Sequence, residues 1–239
     1  MAIKIGDVEL GHEPRIAAVI SDNDISNLNE EVVNEADILE LRVDMFESLA
    51  VDYVKEVFRR AAKKFGKPLI GTVRHSHEGG VKVIYENERL ELYKEITPLS
   101  QAIDIEMQCP HLISKMQIIC KPYNTLIIGS YHNLEGTPDE TTLRYIVNKG
   151  TAIGVDAVKL VTTANNREDM GRLLCFTVKN RSKHLITFTM GSQGVASRVF
   201  SPLLGSLITY GYITEPAAPG QLSVKELRQA FKKFASEQG

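Results

Sequence analysis

A lysine inside an apolar run, "DAVKLV" at 156–161, and a histidine closing another, "TLIIGSYH" at 125–132, are the residues of this 239-residue chain equipped for covalent chemistry. A lysine amine condenses with a ketone, the iminium so formed accepts an electron pair, and a neighbouring histidine removes the adjacent proton. Arginines near such a pair point to an anionic substrate, most simply a carboxylate. Polar residues also gather at the ends of other apolar runs: Glu40, Arg42 and Asp44 in "ADILELRVD", Arg74 in "PLIGTVRHSHEGG", and Asp104 and Glu106 in "AIDIEM".

Each of these residues has a plainer reading as well. A strand lysine often lies at an edge with its stem on apolar neighbours and its ammonium in water. One that faces a barrel lumen needs acidic partners or an environment that disfavours its charge. Glu40, Arg42, Arg74 and Glu106 could form a buried ion-pair network, and His132 alone could be a satisfied core or loop histidine. His75 and His77 make an H-x-H pair, but no further ligand stands at metal-site spacing, so no metal is expected. Only the combination of lysine, histidine and arginines favours imine chemistry.

The elements that must position them recur at steady intervals. Eight β-branched apolar runs, at 15–21, 36–44, 68–74, 102–107, 124–132, 156–161, 183–190 and 206–213, read as strands. Amphipathic segments such as 49–66, closed by Gly66 and Pro68, and 139–153 lie between most of them, and 223–238 reads as a final helix. Strand–helix alternation implies parallel pairing. Eight units in 239 residues fit a (β/α)8 TIM barrel, which takes about 250, and no G-x-G-x-x-G follows the first strand. A hairpin around Gly6-Asp7, within 3–11, would close the barrel's lower end. Barrel enzymes carry their chemistry at the C-terminal strand ends, where these polar residues fall. The two-residue period puts Glu40, Arg42 and Asp44 on one face opposite Leu39, Leu41 and Val43, and gives Lys159 the company of Val155, Ala157 and Val161.

Composition narrows the ligand. A formal charge of −2, from 28 Lys and Arg against 30 Asp and Glu, argues against a nucleic-acid groove and for a small molecule. "MAIKIGDVELGHEPRI" lacks the apolar stretch of a signal peptide or membrane span, so a cytoplasmic protein without membrane attachment is expected. The three cysteines, Cys109, Cys120 and Cys175, make no C-x-x-C pattern and read as reduced thiols. No linker-like stretch divides the chain, so 1–239 reads as one barrel domain.

Seven stretches in order, "ELRVD", "TVRHSHEGG", "IDIE", "SYHNLEGTP", "DAVKLV", "MGSQGVASR" and "APGQLS", give the chain a resemblance to type I 3-dehydroquinate dehydratase, itself an eight-fold barrel. The resemblance implies Schiff-base dehydration of 3-dehydroquinate to 3-dehydroshikimate, on the route to chorismate and aromatic amino acids. It implies Lys159 as the imine-forming lysine, His132 as the general acid-base and Glu78 as the glutamate that pairs with this histidine. It further implies Arg198 as the carboxylate-binding arginine, Glu40, Arg42 and Arg74 as hydroxyl-binding and ordering residues, Met190 as a packing surface for the ring, and Gln221 on a lid loop. Asp104 and Glu106 are expected to stand behind these. No cofactor is implied, because the lysine provides the electron sink. A homodimer is in keeping with the family.

One departure is visible: Ala217 stands where much of the family has a serine four residues before the glutamine, so a lid hydrogen bond is lost or supplied otherwise. Two rival readings stay open. A class I aldolase-type barrel would take a phosphorylated sugar near "MGSQGVAS", and a non-catalytic barrel would bind a carboxylate without turnover.

Overall fold

The computed structural model describes residues 3–216 and 220–234. Its first elements are a short antiparallel hairpin, β1 (Lys4–Ile5) and β2 (Val8–Glu9), turning at Gly6-Asp7. Eight parallel strands follow: β3 (Arg15–Ile20), β4 (Ile38–Arg42), β5 (Leu69–Thr72), β6 (Ala102–Glu106), β7 (Leu126–Asn133), β8 (Ala157–Thr163), β9 (Leu185–Met190) and β10 (Ile208–Tyr212). They lie in the order β10-β3-β4-β5-β6-β7-β8-β9. The remaining seam, between β9 and β10, is bridged by Leu207 N–H to the Leu185 carbonyl at 2.8 Å and by Thr187 N–H to Ser206 Oγ at 2.8 Å. The sheet is thus a nearly closed (β/α)8 barrel.

Alternation along each strand explains the two layers. Ala17, Ile38, Ile70, Ala102, Ile128, Ala157, Ile186 and Ile208, one from each strand, meet in the lower lumen, and Ile5 and Leu10 from the hairpin segment join them. The expected plug at the lower end is present. Outward-facing Ala18, Leu39, Leu41, Ile103 and Ile105 pack under the helices.

Those helices are α1 (Asp22–Asn27), α2 (Glu30–Val33), α3 (Val51–Phe65), α4 (Glu86–Ile96), α5 (Pro110–Cys120), α6 (Glu140–Ile153), α7 (Arg167–Lys179), α8 (Ser197–Leu203) and α9 (Val224–Phe234). In α3 the buried Val54, Val57, Phe58 and Ala61 stand at helical spacing, and burying Val or Phe side chains contributes about 1.5–3 kcal/mol each. Gly66 ends α3 in the left-handed region at φ 59°, where a side chain would be strained. The final helix follows the expected 223–238 as far as Phe234, and the rest of that segment lies outside the described residues. Among the described residues no helix is long and apolar enough to cross a membrane.

Two local expectations are corrected. Val155 precedes β8 instead of belonging to it, so the strand period does not apply, and its side chain packs in the outer layer between β7 and α6. β4 ends at Arg42, and Asp44 sits in a 3-10 turn (Val43–Met45). Asp44 nevertheless comes back to Arg42, whose Nε and Nη2 each donate to its carboxylate at 2.8 Å.

Candidate active site

The register of the strands builds the site from the lumen upward. Ser130 of β7 pairs with Lys159 of β8, and His132 pairs with Val161, so the histidine stands one lumen layer closer to the mouth than the lysine. Lys159 is 3% exposed, above Ala157. Its Nζ lies 2.8 Å from Asp104 Oδ2, 3.4 Å from Glu40 Oε2 and 4.0 Å from the centre of the Tyr210 ring. Of the two possibilities left open for a lumen lysine, the structure has the acidic partners.

Arg74, just past β5, is also buried. Its Nη1 donates to Glu106 Oε1 at 2.8 Å and to Ser130 Oγ at 2.7 Å, while its Nη2 lies 2.8 Å from Asp104 Oδ1. Burial alone would raise the Asp104 carboxyl, but Arg74 and Lys159 overrule it and hold that group well below the usual carboxylate range. Burial likewise works against the Arg74 charge, and Asp104 and Glu106 more than offset it.

The histidine is held from the next loop. Glu78 Oε2 accepts the His132 backbone N–H at 2.9 Å and lies 2.9 Å from Nδ1. An oxygen already accepting one N–H is completed as acceptor for Nδ1–H too, which leaves Nε2 with its lone pair. Burial pushes the Glu78 carboxyl up to about 8. Burial, with Arg74 and Lys159, pulls His132 well below the ordinary imidazole value. Both shifts favour an uncharged pair.

Arg198, on α8, is 2% exposed. Its Nε donates to the Gly220 carbonyl at 3.2 Å and its Nη1 to the Tyr210 carbonyl at 3.2 Å, and its guanidinium lies 4.7 Å from the centre of the Phe188 ring. Among the described residues no carboxylate pairs with it, in contrast to Arg42, Arg74 and Lys159. Burial accordingly lowers it to about 10. A buried guanidinium without a carboxylate partner among the described residues is chemically suited to an anion.

The nine residues to which the resemblance gives catalytic or binding roles line one cavity of about 260 Å³: Glu40, Arg42, Arg74, Glu78, His132, Lys159, Met190, Arg198 and Gln221. Ala217 lies outside the described residues. His75 and His77 instead cap a turn, with His77 N–H donating to His75 Nδ1 at 3.1 Å and the rings edge to face at 4.9 Å. Among the described residues no group of three or more His, Cys, Asp and Glu is arranged to hold a metal ion.

The description of the type I 3-dehydroquinase family matches residues 18–237 of the chain. The chain belongs to this family. It is 36% identical over 219 residues to the 3-dehydroquinate dehydratase of Thermodesulfovibrio yellowstonii, covering 92% of this chain and 95% of that one. The solved structure of the Aquifex aeolicus 3-dehydroquinate dehydratase superposes with a TM-score of 0.81 at 36% identity, over 92% of this chain and 98% of that one. The Clostridium difficile type I enzyme, solved with covalently modified comenic acid, gives 0.91 at 27% identity over 99% and 98%. A 3-hexulose-6-phosphate synthase shares the fold alone, with a TM-score of 0.60 at 17% identity. The activity is therefore that of a 3-dehydroquinate dehydratase, a hydro-lyase of the shikimate pathway.

Asp104 stands behind the lining residues and contacts Lys159 directly. For a 3-dehydroquinase site, two lining residues were not named from the sequence. Phe188 and Tyr210 line the cavity with their ring centres 5.5 Å apart and the rings tilted at 44°. Strict alternation in "LITFTM" and "LITYGY" was the signal for both, since each shares the lumen face with Ile186 or Ile208.

Proposed function

We propose that Lys159 is the nucleophile of the dehydration. Its amine attacks the ketone at carbon 3 of 3-dehydroquinate, the oxygen leaves as water with protons relayed by His132, and an iminium remains. His132 Nε2 then takes a proton from carbon 2, and the released electron pair forms an enamine. The enamine pushes hydroxide from carbon 1 as His132 returns the proton, so water departs and a conjugated iminium is left. Hydrolysis of that iminium yields 3-dehydroshikimate, the free lysine and a proton. Glu78 keeps the ring in the tautomer that this requires.

The observation that carries this reading is Lys159 Nζ on the cavity floor, held by Asp104 and Glu40, one layer below His132. Arg198, buried without an acidic partner among the described residues, suits the substrate carboxylate. Glu40, Arg42 and Gln221 are assigned to the substrate hydroxyls, Arg74 to ordering Asp104, and Met190 to the ring face. The covalently modified ligand in the C. difficile relative is in keeping with capture by a protein nucleophile. We place the enzyme in the cytoplasm, because its three cysteines are free thiols and a reducing compartment keeps them so.

The deciding experiment is borohydride reduction in the presence of 3-dehydroquinate, followed by peptide mass spectrometry. An adduct on Lys159 is expected; an adduct elsewhere, or none beside an active control, would overturn the assignment.

A further inference from the structure

Behind the barrel wall, α4 carries an arginine that solvent does not reach. Arg89 is fully buried. Its Nε donates to the Val73 carbonyl at 3.0 Å, its Nη1 faces the Cys109 sulfur at 3.4 Å, and its Nη2 pairs with Glu106 Oε2. Desolvating a guanidinium is costly, and an apolar residue would pack such a wall as well or better. The position of this charge therefore calls for a reason other than packing.

Glu106 is the link. Its other oxygen accepts from Arg74 Nη1 and from the His75 N–H, each at 2.8 Å. Arg74 Nη2 lies 2.8 Å from Asp104 Oδ1, and Asp104 Oδ2 lies 2.8 Å from Lys159 Nζ, with Glu40 Oε2 at 3.4 Å on the far side. A line of alternating charge thus runs from the helix layer into the lumen: Arg89, Glu106, Arg74, Asp104, Lys159, Glu40. Within it Glu106 and Asp104 each stand between two cations.

We infer that Arg89 is a positioning residue for the reaction: by neutralising Glu106 it keeps Arg74 on Asp104, and so limits how tightly Asp104 holds the proton of Lys159. The inference rests on the reading of Lys159 as nucleophile. Without Arg89, Glu106 draws on Arg74, Arg74 yields part of its contact with Asp104, and Asp104 tightens on the Lys159 ammonium. The amine is then released only at higher pH. The other titratable groups around the two ends do not replace Arg89. His132 and Tyr210 face Lys159, and Tyr93, Cys109 and His75 surround Arg89, with His75 disfavoured as a cation by burial and by Arg89 itself.

The test is the pH dependence of kcat/KM in Arg89→Met and Glu106→Gln, alongside wild type trapped with borohydride. Arg89→Met should move the rising limb to higher pH by on the order of one unit. Glu106→Gln should move it to lower pH, and Arg89→Lys should stay near wild type. Should Arg89→Met fail to fold, Arg89→Gln, polar but uncharged, should show the same base-ward movement, and an unmoved limb there would overturn the inference. Lower rates with unmoved limbs would reduce Arg89 to wall packing and overturn the inference while leaving a Lys159 adduct intact. Trapping of wild type on another residue would remove the nucleophile assignment first, and the inference with it.

Discussion

Glu78 Oε2 grips His132 twice, at the backbone N–H and at Nδ1, both at 2.9 Å. One carboxyl oxygen thereby fixes both the position of the strand end and the direction of the ring. Burial lifts that carboxyl from its ordinary value of 4.5 to about 8, so the folded state binds its proton more tightly than the unfolded chain does. Stability from this group is present at low pH and is lost as pH rises from about 4.5 through 8. Glu78→Gln keeps the shape and removes the titration. The Tm of the variant should gain on wild type between pH 5 and pH 8 by on the order of ten degrees, since each kcal/mol is worth about 2–4 °C at this chain length. Calorimetry at the two pH values checks this, and a constant difference would count against it.

Lys159→Ala should abolish turnover while 3-dehydroquinate still binds, because Arg198 and the hydroxyl-facing groups remain. Calorimetric titration beside the rate assay separates the two. Retained turnover would rule out Lys159 as the nucleophile.

His132→Ala removes the proton carrier but not the amine. The expected enzyme is slowed by about 10²–10⁴ in kcat and accumulates imine on Lys159, visible as an increased borohydride-trapped fraction. A variant at full rate would rule out the acid-base role.

Arg198→Ala takes away a charge-assisted contact of about 1.5–3 kcal/mol, which corresponds to a KM raised roughly 10- to 150-fold. Steady-state kinetics decide it, and an unchanged KM would mean that the carboxylate sits elsewhere.

Gly220→Ala tests the loop that meets Arg198. Gly220 has φ 73°, and a Cβ there would lie 2.6 Å from the Gly191 carbonyl oxygen. The strained loop should release the Arg198 Nε contact with the Gly220 carbonyl and raise KM several-fold, with Tm moved little because the segment lies outside the core. A large fall in Tm with normal KM would assign the glycine to the fold instead.

The strands were legible because each buries an alternating or continuous apolar run, and "DAVKLV" placed Lys159 in the lumen through Ala157 and Val161 alone. Val155 misled because alternation continues in the sequence past the point where β8 begins. That Asp104 supports Lys159 in particular depends on the distance across the lumen to β8, which no spacing along "AIDIE" contains. Arg89 was invisible for a related reason. In "ENERLELYKEI" a charge reads as the solvated face of a helix, and only the packing of α4 against the gap between β5 and β6 turns it inward to Glu106. Arg198 was nameable only through the family pattern, since a lone arginine after "MGSQGVAS" does not announce that its surroundings lack an acid.

The hairpin at the lower end has a kinetic consequence. With Ile5 and Leu10 seated among the lowest lumen side chains and Gly6 against Pro68, the barrel is a cup with one opening. Reactant, expelled water and product must share that opening in turn. Traffic through it is sequential: product must clear the opening before the next substrate can enter.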